Sequence, residues 1–140
     1  MKWLAEGKQR KQAEERTRVL EFIHCAELIS TTGNALGTVH AAAADGRPVD
    51  KAQAAALTNQ FNEALTQLNR LRLEIAILGP EWSKDEVVKV ENETVALMMA
   101  LTTAELDKDK AGFAALIKKV GDFKTARSAL IDAAKKKYAS

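Results

Sequence analysis

Cysteine is almost missing from this chain, and the lone Cys25 excludes an internal disulfide and fits a reducing compartment. Only two prolines occur, Pro48 and Pro80, so long stretches carry nothing that would stop a helix. Aromatic residues make up 5% of the chain. That is too few for a β-rich core, whereas the abundant Ala and Leu suit close-packed helices. The longest apolar run, Val95 to Leu101, falls far short of the roughly 20 residues that span a bilayer. Met1-Lys2-Trp3-Leu4-Ala5 runs straight into Glu6, a pattern unlike a signal peptide. A net charge of +2 does not by itself imply nucleic acid. Gly-rich phosphate loops, zinc-ligand spacings and Gly-x-Ser-x-Gly elbows are lacking too.

What is present is helical periodicity. Ala54, Leu57, Phe61, Ala64, Leu68, Leu71, Ile75 and Leu78 step by three and four, the seam along which one helix packs on another. Leu65, Leu73 and Ile77 widen that stripe, so this helix is expected to face more than one neighbour. A second seam runs through Val19, Phe22, Ala26, Ile29, Gly33, Leu36 and His40. Gly33 and Gly37 each cost about 1 kcal/mol of helix stability relative to Ala, so they should mark a close helix approach or a bend. A third seam holds Val87, Val90, Thr94, Leu97, Leu101 and Ala104, with Val88, Val95, Met98 and Met99 making it apolar over a wide arc. The last carries Phe113, Leu116, Val120, Phe123, Leu130 and Ala134, with Ile117 and Ile131 beside it.

Stop signals separate the helices. Gly46 suits a left-handed cap before Pro48, and Asp50 reads as the N-cap of the next helix. Gly79-Pro80 repeats the stop, and Ser83 with Glu86 has capping-box spacing. Asp107 or Asp109 is the candidate cap before the last helix. The expected architecture is all-α: a single antiparallel, up-down-up-down four-helix bundle with helices near 3–44, 50–78, 83–105 and 108–138. The bundle proper spans 16–138, and residues 1–15 form a projecting basic helical extension with almost no apolar stripe.

Chemistry is sparse. Glu21 and His24 make one Glu-x-x-His step, where di-iron bundles use two with further glutamates; the seam turns both toward the flank. A metal-binding carboxylate/His bundle is therefore the rival reading, not the preferred one. His40 lies on the seam and is expected to be half-buried, satisfied by a backbone carbonyl. Cys25 reads as a flank cysteine, since adjacent helical residues do not face each other. Met98 and Met99 read as core filler in preference to an adaptable binding surface. No catalytic role and no cofactor is expected.

One distribution stands out. In the expected topology one pole collects Trp3, Leu4, Lys8, Arg10, Lys11, Arg16 and Arg18 from the first helix. Trp82 and Lys84 join them from the second loop, and Lys135, Lys136, Lys137 and Tyr138 from the tail. Aromatics beside basic residues are what a membrane–water interface selects. Basic residues favour a helix C-terminus through the dipole. That accounts for the Lys135–Lys137 run but not for the first helix. Trp-Leu followed by a basic polar helix is similar in composition to the segment just after a transmembrane anchor. The expectation is a non-catalytic interaction or scaffold module, cytoplasmic, whose pole meets an anionic membrane surface or another protein. A nucleic-acid-binding helical protein, using residues 8 to 18, is the third reading.

Overall fold

The structure, a computed structural model, describes the backbone of residues 2–107 and 110–139 and the side chains of 6–105 and 111–139. It is all-helical: α1 Lys2–Ala44, α2 Lys51–Leu78, a single 3₁₀ turn Glu81–Ser83, α3 Lys84–Asp107 and α4 Lys110–Tyr138. The expected boundaries hold to within a residue or two. Asp109 and the side chains of Trp3, Leu4 and Asp107 lie outside the described residues.

Turn chemistry places the first two breaks. Gly46 takes φ 78° and Gly79 takes φ 83°, the left-handed region that a Cβ disfavours. Asp50 caps α2 as its spacing suggests, its carboxylate accepting from the Ala52 and Gln53 amides at 2.9 and 3.2 Å. Ser83 is different from expectation. It sits buried in the 3₁₀ turn, and its hydroxyl donates back to the Pro80 carbonyl at 2.8 Å instead of capping α3. The turn after Gly79-Pro80 consumes the hydroxyl before α3 begins.

The four helices pack as a bundle around one core. α1 lies against α2 and α4, and α4 against α3, whereas α2 and α3 touch only lightly. The seams supply that core: Phe22, Phe61, Phe123, Leu71, Leu97 and Leu116 are among its fully buried side chains. Gly33 and Gly37 mark a close approach, and α1 stays one unbroken helix. A Cβ on Gly33 would meet Phe61 of α2 at 3.4 Å, and one on Gly37 would meet Ile117 of α4 at 3.3 Å.

Side chains beside the seams correct several expectations. Cys25 is buried, and its thiol donates to the Ala64 carbonyl of α2 at 3.1 Å. It lies on the α2 side of Phe22 and Ala26, close enough to the seam to be covered. Leu73 and Ile77 do not find a second neighbour; they are 46% and 77% exposed. Leu78 ends its seam in solvent as well. Val88, Val95, Met98 and Met99 are exposed rather than core filler, Met99 at 66%. The core takes the other side of α3, at Val87, Val90, Leu97 and Leu101.

Candidate functional site

The short connection from α2 to α3 builds a corner where three parts of the chain meet. Arg18 of α1 donates from Nε to the Gly79 carbonyl at 3.2 Å and from Nη2 to the Leu78 carbonyl at 3.0 Å. A guanidinium thus satisfies carbonyls that the end of α2 leaves without helical partners, where positive charge also suits the dipole. Pro80 and Ser83 are buried, and Trp82 packs half-buried against the core. The Trp82 ring meets Tyr138 of α4 edge-on, with centroids 5.7 Å apart. The Arg16 guanidinium lies 5.3 Å from the centre of the same tyrosine ring, a cation–π arrangement. Burial, foremost, and the neighbouring Glu15 carboxylate push the Tyr138 hydroxyl above its ordinary range, while Trp82 and Arg16 pull it back.

A cleft of about 740 Å³ opens at this corner, walled by Gln12, Arg16, Glu81, Trp82, Lys137 and Tyr138. Of the residues singled out in the sequence, the structure brings Trp82, Lys137 and Tyr138 together here. Lys84 is turned to Glu81, 2.6 Å away. Lys8, Arg10, Lys11, Lys135 and Lys136 line no part of the cleft; they are exposed along α1 and the last turn of α4. None of these five, nor Lys137, has an ion pair among the described residues. Arg16 and Arg18 carry the two most specific contacts of the corner. Sequence reasoning had them only as members of a basic group, because cation–π and carbonyl contacts depend on partners 60 or more positions away.

The other candidates separate cleanly. Glu21 and His24 are both exposed, and among the described residues no group of three His, Cys, Asp or Glu side chains stands close enough to hold a metal. His40 is half-buried as expected, but it stacks on Phe113, with centroids 5.6 Å apart, and faces Glu105 at 3.7 Å rather than a carbonyl. Its Nε2 has no hydrogen-bond partner. A second cavity, about 320 Å³, lies between α2 and α3 over Phe22 and Leu68, with Leu65, Val95 and Met98 on its walls. Arg72 and Glu91 face each other across it, Nε to Oε2 at 2.7 Å, though not aligned for a hydrogen bond. Met98, read from the sequence as core filler, stands on this wall instead.

No helix among the described residues is long and apolar enough to cross a membrane. No protein-family model, curated protein or solved structure matches the chain.

Proposed function

We propose that this chain is a non-catalytic helical interaction module whose basic, aromatic pole contacts an anionic membrane surface from the cytoplasmic side. The proposal includes an up-down-up-down course of the helices. Arg18 reaching Leu78, Cys25 reaching Ala64, and Trp82 meeting Tyr138 support that course. It also includes an N-terminal overhang, supported by the exposure of Glu6 through Glu14 before Val19, the first fully buried residue described in α1.

The observation that carries the reading is the Trp82–Tyr138–Arg16 cluster beside exposed lysines. Indole and phenol rings with one wet edge suit the headgroup region. Each basic residue near an anionic surface contributes about 1 kcal/mol, so Lys8, Arg10, Lys11 and Lys135–Lys137 together give weak, salt-sensitive attachment. The attraction fades over a Debye length of about 10 Å at 0.1 M salt.

Co-sedimentation with vesicles tests this. Binding to anionic vesicles at low salt, absent with neutral ones, is expected, and it should disappear when those six residues become Gln. No binding to anionic vesicles at low salt overturns the membrane reading and leaves a protein partner for the pole.

A further inference from the structure

The cleft at the basic corner carries more than positive charge. Gln9, Gln12 and Arg16 step by three and four along α1, so they stand in a row on one face of the helix. All three wall the cleft, and the row is about 10 Å long. Ala13 lies within it, and its short side chain leaves the middle of this wall open. Trp82, Lys137 and Tyr138 line the same cleft from the 3₁₀ turn and the end of α4.

The charged side chains here are not equivalent. Glu81 is taken up by Lys84 at 2.6 Å. Glu15 lies against the end of α2, where a Cβ on Gly79 would meet its Oε2 at 3.0 Å. Arg16 is held by the Tyr138 ring and not by a carboxylate, so its charge is not neutralised. Lys137 has no ion pair among the described residues either. The Tyr138 hydroxyl, pushed up foremost by burial, keeps its proton at neutral pH and can donate it in a hydrogen bond.

We propose that the cleft binds a polyol phosphate, a ring of hydroxyls carrying one phosphate ester. The proposal rests on the basic pole described above and names the headgroup chemistry it prefers. Arg16 and Lys137 take the phosphate, the guanidinium through paired N–H donors and the ammonium as a point charge. Gln9 and Gln12 take the hydroxyls. An amide both donates and accepts, as a hydroxyl does, whereas a second charge on the ligand would leave half of each amide unmatched. Glu15 accepts from a further hydroxyl and would repel a second anionic group. Trp82 offers its ring to the C–H face of the polyol. A volume of about 740 Å³ lies within the range of small-molecule sites, and a bare phosphate would occupy only the Arg16 end of the row.

Calorimetric titration of the full chain with myo-inositol 1-phosphate tests this, beside inorganic phosphate, myo-inositol and phosphoethanolamine. The inositol phosphate should bind, and each of the others should bind about tenfold or more weakly. Arg16→Gln and Gln12→Ala, both at exposed positions, should each weaken binding by about the same factor, with helicity unchanged by circular dichroism. Gln12→Ala removes no charge, so its attachment to phosphatidylserine vesicles at low salt should be unaltered. Vesicles with phosphatidylinositol in place of an equal fraction of phosphatidylserine identify the source. Tighter attachment to them points to a lipid headgroup, and equal attachment to a free polyol phosphate. No binding of the inositol phosphate overturns the proposal, as does equal affinity for inorganic phosphate or binding indifferent to Gln12→Ala. If the chain still attaches to anionic vesicles in that case, the pole reading survives without the cleft. Binding of the inositol phosphate with no vesicle attachment has the reverse meaning.

Discussion

Two interfaces in this bundle contrast: the α1–α4 seam is closed, and the α2–α3 seam is open. Along α1 and α4, Phe22, Ile29, Leu36, Leu116, Phe123 and Leu130 are wholly buried, and glycines let the backbones approach. Along α2 and α3 the helices touch lightly, and residues of the same apolar character remain in solvent. Both pairs carry the three-four repeat. The repeat states which face of a helix is apolar; how near the neighbour comes depends on side-chain volume and backbone approach at the crossing. At the α1–α4 crossing a hydrogen at Gly37 stands where a methyl would press on Ile117. Between α2 and α3, the Arg72–Glu91 ion pair bridges a cavity instead.

The contrast can be broken first at its strongest point. Phe123→Ala removes a fully buried ring and should cost about 3–5 kcal/mol, read by urea denaturation. Next, Leu68 and Leu73 lie five positions apart on α2 but differ in exposure, at 2% and 46%. Leu68→Ala should cost about 2–5 kcal/mol, and Leu73→Ala should stay within about 0.5 kcal/mol. Equal costs would mean that Leu73 is covered in solution as Leu68 is.

The smallest effect concerns Cys25, on the closed α1–α2 side. Burial, only partly offset by Arg70, raises its thiol above the ordinary 9.0. Because the folded value is the higher one, the stability this thiol contributes is complete below about pH 9. It is lost as pH rises through the folded value, since the unfolded chain releases its proton first. Melting temperature followed upward from pH 8 should fall more steeply for wild type than for Cys25→Ala. Thiol labelling of the native protein near neutral pH should be slow and should become fast in denaturant.

Much of the bundle was legible in the residue order because its signals are local. The Gly46 and Gly79 breaks, the Asp50 cap and the seam from Phe61 to Ile75 each depend on spacing within a few turns. The second stripe was misread for a corresponding reason. Val88, Val95, Met98 and Met99 are apolar enough for a core, but the fold buries the stripe through Val87, Val90, Leu97 and Leu101 and leaves them outside. Cys25 failed in the opposite direction, since it took α2 passing over it to bury a residue one step off the seam. At the basic corner the aromatic members were readable as a group, but Arg16 over Tyr138 and Arg18 at the end of α2 required the fold.

Arg18 also gives the two loops unequal freedom to open. The loop from Asp45 to Asp50 is shaped by backbone bonds from Asp45, Gly46 and Arg47 to carbonyls of the turn just before it. The loop at Gly79 is gripped by a guanidinium from α1, some 60 positions away, so it opens only when Arg18 lets go. Amide hydrogens near Gly79 should therefore exchange more slowly than those near Gly46.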